Sequence, residues 1–484
     1  MSELDLKTVR KRSVAGVVAL TSRTFFLQMV NFGAMFLLTI FLAPEIFGIF
    51  FVVTAAVNFL NYFSDIGLAA ALIQKKEKLT ESDLKTTFTI QQVLVIFLAI
   101  IALLGSSLVA RFYRLDQAGL WLFRALVFSF FLSSLKTIPS VLLERKLDFN
   151  RLVIPQIAET IFFNLIAVYL AWQGFGVASF SWAVLARGIS GLILIYLLSP
   201  WKPGLKLDKK SARSLLNFGV PFQVNSLLAL VKDDLLIVFL GKILPLAQVG
   251  YLGWAQKWAN FPLRFIMDSV NKVTFPAYSR IQKNLPALKN GVEKALFSVC
   301  TLTFPALVGL SILASSLVEN LPRYTKWQPA LLSLYFFCFQ ACFSAVSTTL
   351  TNTLNATGRI KTTLKLMMMW TVLTWVFTPL FIIWWGYHGV ALAALVVSSL
   401  VVIPVWLVKR FVNFAIWENV GWPMLGALLM GTAVYLLRPY FSQNLLMIGL
   451  LAAFGAIIYS IAMLLLAKDK VIGSVKLVAG AIKK

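Results

Sequence analysis

The chain has 484 residues, 59% of them hydrophobic and 13% charged, with a formal net charge of +25. A soluble domain carries about a quarter charged residues, so most of this chain's surface has to face lipid. The same scarcity excludes nucleic-acid binding as the purpose of the positive charge, because no soluble region is left to hold a basic groove.

Residues 1–14 are basic, and the apolar run after them is about 27 residues long with no small-residue cleavage site. It reads as a first spanning helix and not as a cleavable signal. Crossing a bilayer as a helix takes about 20 apolar residues. Fourteen stretches are predicted to do so: 15–41, 47–73, 87–110, 118–142, 152–172, 177–198, 215–240, 249–275, 295–318, 329–355, 363–385, 389–408, 422–437 and 444–467. Backbone polar groups in lipid must be satisfied within the segment or in a closed barrel, and these runs are too long and too evenly apolar for barrel strands. The predicted class is an all-α integral membrane protein.

The connecting segments alternate in charge. On the side of the N-terminus they hold thirty Lys and Arg, with the C-terminal tail included. The opposite loops hold six: Arg111, Arg114, Lys242, Arg323, Lys326 and Arg438. The positive-inside rule then places both termini in the cytoplasm.

The other basic residues lie inside helices: Arg23, Arg124, Lys136, Arg187, Lys232, Lys257, Arg264 and Lys272. Asp65, Glu159, Asp233, Asp234 and Asp268 lie at similar depth. All of these fall in the first eight stretches, and the spans from residue 295 onward are essentially uncharged inside. Function is therefore expected in the first eight helices.

The longest basic linker, 199–214, follows the sixth stretch, and the pattern restarts after it. Pro44 and Gly48 stand between the first two helices as Pro245 and Gly250 stand between the seventh and eighth. Each pair marks a tight turn before a helix. The expected organisation is an N-terminal lobe (1–198), the linker (199–214), a C-terminal lobe (215–410), and two further helices with a basic tail (411–484). Two six-helix halves of this kind are the mark of an internal repeat.

Enzyme signatures are missing. The one Gly-Lys pair, Gly241-Lys242, lacks a glycine at 236, so there is no phosphate-binding Walker loop, and a single histidine rules out His-paired metal sites. His388 reads as an interfacial loop residue, and Cys300, Cys338 and Cys342 as small packing residues in apolar runs. No cofactor or metal is expected. A membrane-embedded glycan polymerase or acyltransferase would need a large outer loop for its acids, and the outer loops here are short.

A polar pathway stands in place of an enzyme site. Lys257, Arg264, Asp268 and Lys272 are spaced seven, four and four. On a helix they fall within roughly 80° of one another, a stripe about 22 Å long. Asn260 and Asn271 flank it, while Thr54, Asn58, Asn61 and Asp65 share one face of the second helix and Arg23 lies on the first. An ionisable residue inside a span usually faces a bundle interior or a water-filled cavity.

Structural roles compete with this for several residues. Lys272 and Asp65 sit near helix ends and could snorkel to water, Asp268 could pair with Arg264 or Lys272 one turn away, and Asp233 and Asp234 beside Lys232 could form a buried charge cluster. The same acids, Asp65, Asp233, Asp234 and Asp268, are the candidates for ion coupling. A cationic interior among lipid-length spans suits an anionic substrate with an apolar part, such as a lipid diphosphate.

Five segments carry a family resemblance. They are Ser64-Asp65-Ile66-Gly67-Leu68 with Ala71-Leu72-Ile73-Gln74, Ile138-Pro139 through Leu147-Asp148-Phe149, Gly174-Phe175-Gly176-Val177, Asn217-Phe218-Gly219-Val220-Pro221 and Leu354-Asn355-Ala356-Thr357-Gly358-Arg359. In this order, over about residues 10–410, the chain resembles the polysaccharide-export branch of the multidrug/oligosaccharidyl-lipid/polysaccharide exporter superfamily, colanic-acid-type exporters above all. The resemblance implies two six-helix lobes around a central cavity with alternating access. The implied substrate is an undecaprenyl-diphosphate-linked glycan in the bilayer, and the implied functional form a monomer. The family's cationic cavity would pass its role to Arg23 and Arg264. Some relatives bind a cation through acids on later helices, and this chain has none inside its last six spans, which argues against sodium coupling by that route. A multidrug exporter of the same fold would want an acidic cavity, and the basic stripe argues against it.

Overall fold

A computed structural model describes residues 6–75 and 77–473, with side chains from residue 23 onward except at 218, 221, 222, 224–229, 269, 272 and 273. The N-terminal five residues, the tail beyond 473 and the Lys272 side chain thus lie outside the described residues. The described chain is helical, without strands, and forms two compact units that meet in sequence at Gly250–Tyr251. It is an all-α membrane protein with twelve helices long and apolar enough to cross a bilayer among the described residues.

The first unit holds α1 (Leu6–Phe41), α2 (Pro44–Asp65), α3 (Leu68–Gln74), α4 (Glu81–Leu104), α5 (Ser106–Tyr113), α6 (Gln117–Leu135), α7 (Thr137–Arg145), α8 (Phe149–Trp172), α9 (Ala178–Leu198), α10 (Lys209–Lys232), α11 (Asp234–Ile243) and the start of α12 (Leu246–Ile281). The second holds the rest of α12, α13 (Leu285–Asn320), α14 (Leu331–Ala356), α15 (Ile360–Trp385), α16 (His388–Ser399), α17 (Val402–Lys409), α18 (Trp422–Phe441) and α19 (Leu445–Leu466).

Several expected single spans are broken helices. The stretch 47–73 divides at Ile66 and Gly67, both left-handed, with φ of 46° and 72°. The stretch 215–240 divides at Asp233, and it and 249–275 are the two that fall outside the twelve long apolar helices. Both include residues whose side chains lie outside the described set, and the twelve are a count over the described residues alone. The short stretch 422–437 lengthens to Trp417–Phe441, 25 residues, ample to span.

Side chains on the outside of the helices stay apolar. Leu104, Ile383 and Leu465 are each about four-fifths exposed, which a water-facing surface would penalise and lipid does not. The buried contacts in the first unit include Leu68, Leu72, Phe88 and Ile138. In the second they include Phe304, Trp327, Phe337 and Leu350.

The basic end of the first unit is tightly built. Thr80 and Asp83 form a reciprocal capping box at the start of α4, and Asp83 also takes Lys75 at 2.9 Å. Arg145 donates to the carbonyls of Leu72, Lys75 and Glu77, which closes the end of α3. The linker lies along α4, with the Lys206 and Asp208 N–H groups donating to Thr89 and Thr86 at 3.0 and 3.1 Å and the Trp201 ring against Phe88. Asp208 caps α10, and the Ser211 N–H it accepts holds its carboxyl below the usual carboxylate range.

Candidate functional site

In the first unit, α2 runs along α10, α11 and the start of α12. Gly48 and Gly250 let the two backbones meet: a Cβ on Gly48 would overlap the Leu246 carbonyl, and one on Gly250 the Pro44 carbonyl. Further along, Gly241 makes room for Val52. Asn58 then donates to Asp234 at 3.1 Å. Tyr62 and Gln223 next exchange side-chain donors for each other's main-chain carbonyls, and Gly67 meets Gly219 backbone to backbone. The two Pro–Gly turns read as a repeat are therefore also partners in space.

This seam accounts for three of the sequence candidates. Asn58 and Asp234 are brought together. Asp65 accepts the Ala69 N–H through both carboxylate oxygens at 3.1 and 3.2 Å, bridging the left-handed break between α2 and α3. That gives it a structural task. Asn61 and Asp233 are exposed, Asp233 at the break between α10 and α11.

Arg23 lies in the same unit against α8. Its Nη1 donates to Gln156 Oε1, and its Nε is buried without a partner among the described residues. Two turns on, Asn164 donates to Asn31 at 2.9 Å.

In the second unit, Lys257, Arg264 and Asp268 form one exposed face of α12. The opposite side is buried at Ala255, Ala259 and Leu263. Flanking contacts hold the helix: Trp254 stacks on Trp327 at 5.3 Å, and Asn352 donates to Thr274 at 2.8 Å. The stripe expected from spacing is thus presented by a helix whose other faces are packed. Among the described residues, Arg264 and Asp268 form no ion pair with each other, although they stand one turn apart. Lys272 completes the spacing, but its side chain is outside the described set.

Three side chains noted only as intrahelical charges prove to be a cluster. Lys136 Nζ lies 2.6 Å from Glu159 Oε1, and Arg187 Nε 3.8 Å from Glu159 Oε2. Spacing within one helix cannot reveal it, because the three come from three different spans. His388, expected in a loop, begins α16 and shares a 2.8 Å hydrogen bond with Ser333. The three cysteines are buried and unbridged.

The model of a family described as "polysaccharide biosynthesis protein" matches residues 37–331. A membrane protein of the cps region of Klebsiella pneumoniae is 24% identical over 82% of this chain and 81% of its own length. The lipopolysaccharide biosynthesis protein WzxC of Escherichia coli is 23% identical over 81% of this chain and 79% of its own. Among solved structures, the lipid II flippase MurJ in an inward closed conformation superposes with a TM-score of 0.78 at 16% identity, covering 93% of this chain and 99% of that one. At that identity the likeness is one of fold.

Proposed function

This chain belongs to the polysaccharide biosynthesis protein family, and we propose that it is a flippase, not an enzyme, that carries an undecaprenyl-diphosphate-linked oligosaccharide from the cytoplasmic to the outer leaflet by alternating access. The observation that carries this is the exposed face of α12, where Lys257 and Arg264 stand with Asp268. Charge in a span is tolerated where it meets water or a polar cavity, and cations placed there meet phosphate through charge-assisted hydrogen bonds. The polyprenyl tail of such a substrate stays in the bilayer while its head group crosses.

The moving parts are residues 1–198 and 215–410, with α18 and α19 as additions, in a monomer of a bacterial inner membrane with both termini cytoplasmic. Arg23 and Arg264 contact the diphosphate, with Lys257, Lys272, Asn58 and Asn61 as further substrate contacts. The names of the relatives support this: one is a lipopolysaccharide biosynthesis protein, and the similar fold belongs to a lipid II flippase.

The test is transport of a fluorescent undecaprenyl-diphosphate-linked oligosaccharide in proteoliposomes. Arg264→Ala abolishes it at unchanged membrane abundance, and Arg264→Lys restores part, because lysine keeps the charge but loses the two-pronged guanidinium contact. Full transport by Arg264→Ala would overturn the assignment.

A further inference from the structure

We propose that Lys136 and Arg187, one turn of α8 from Arg23, form a second phosphate-binding subsite in the first unit, with Glu159 as its resident counter-ion. The inference rests on the flippase reading and names the diphosphate of that substrate as the ligand.

The cluster is built, not incidental. Gln156 and Glu159 lie one turn apart on α8; the first takes Arg23 from α1, the second takes Lys136 from the end of α6 and Arg187 from α9. A Cβ on Gly191 of α9 would overlap the Glu159 carboxylate. The neighbouring helix therefore forgoes a side chain at the point where the acid sits.

Charge and exposure then separate the roles. Two cations meet one carboxylate, with Arg23 one turn away on Gln156, so the group is left with excess positive charge at membrane depth. Lys136 and Glu159 are shut in at 15% exposure, whereas Arg187 is 58% exposed and stands 3.8 Å from Glu159 at its Nε. A pair serving structure alone would match charge for charge, since unbalanced charge in a low-dielectric interior is costly.

Depth identifies the source of the anion. Arg187 stands roughly 14 Å along α9 from Ala178 and roughly 16 Å from Leu198, at 1.5 Å per residue. Head groups of the surrounding bilayer do not reach that level. A phosphate that meets Arg187 has to be carried there, as the diphosphate of a lipid in transit is. On arrival it competes with Glu159 for Lys136 and Arg187, so the acid holds the cations in place when the site is empty and yields them when it is filled.

The experiment is binding of geranylgeranyl diphosphate to the purified full-length protein in phosphatidylcholine nanodiscs, followed by calorimetry, with thermal unfolding as a check on the fold. Arg187→Gln, at an exposed position, weakens binding by about tenfold or more, and Arg187→Lys by less. Glu159→Gln tightens binding several-fold, because the internal competitor is gone. If Arg187→Gln and Glu159→Gln both bind as the parent does while Arg264→Gln abolishes binding, the flippase reading stands and the cluster is a structural ion pair. If the parent protein binds no diphosphate, the flippase reading itself fails.

Discussion

Gly48 and Gly250 occupy equivalent places in each other's contact: each glycine stands where the carbonyl of a residue four positions before its partner, Leu246 or Pro44, leaves no room for a Cβ. The symmetry follows from the two Pro–Gly turns that begin α2 and α12. Gly48→Leu should therefore stop the helices from closing at this end. Overpacking at such a point costs about 1–3 kcal/mol, so the protein still reaches the membrane. Export falls to background, and a cysteine placed at Phe47 becomes more reactive to a membrane-impermeant maleimide. Parental reactivity and export in Gly48→Leu would remove any need for close contact.

The loop charges give an expected orientation that fusions can read. Reporters inserted in Arg111–Asp116 and Glu319–Gln328 should report outside, and those at Lys206–Lys210 and Lys470 inside. Lys470 pairs with Glu418 at 2.9 Å beyond the end of α19, so an external Lys470 with an internal Lys206 would reverse the last two helices.

On the proposed flippase reading, the energy comes from the membrane potential or an ion gradient acting on states of unequal affinity. One charge crossing the full potential yields about 2.3 kcal/mol per 100 mV. We propose Asp233 and Asp234, at the break between α10 and α11, as the proton carriers, with Asp268 the alternative. Asp233→Asn with Asp234→Asn should leave substrate binding intact and make transport in proteoliposomes insensitive to an imposed pH gradient. The Asn58 contact survives this change, since an amide oxygen still accepts it. Undiminished gradient dependence in the double variant would dismiss the pair.

Asp83 is 1% exposed and serves three donors: the Thr80 N–H, the Thr80 hydroxyl and Lys75. Its removal strands a buried ammonium and uncaps α4 together. Asp83→Ala should cost about 3 kcal/mol or more and Thr80→Ala about 1 kcal/mol, seen as unequal drops in the unfolding midpoint in detergent. Equal drops would mean that the cap and not the ion pair dominates.

The all-α membrane class was legible in the sequence because apolar runs of bilayer length admit few alternatives. The shared exposure of Lys257, Arg264 and Asp268 on α12 was legible too, since residues on one helix need only a period to be seen together. Breaks at Ile66, Lys136 and Asp233 were not, because such runs stay apolar across a turn. Nor was the task of Asp65, whose bond to Ala69 depends on two left-handed residues that spacing does not signal. Contacts between helices were hidden for a simpler reason: Glu159 gives no sign, in one dimension, that Lys136 and Arg187 will meet it.

That meeting bears on how the chain is made. Lys136, Glu159 and Arg187 come from the fourth, fifth and sixth predicted spans, which emerge one after another during synthesis. Alone, each charged helix enters the bilayer at a cost of about 2.5–3.5 kcal/mol. Partnered, they need not do so singly. The insertion machinery thus has reason to hold the fourth span until the next two arrive and to release the three as a bundle, whereas the almost charge-free helices after residue 295 can leave it one by one.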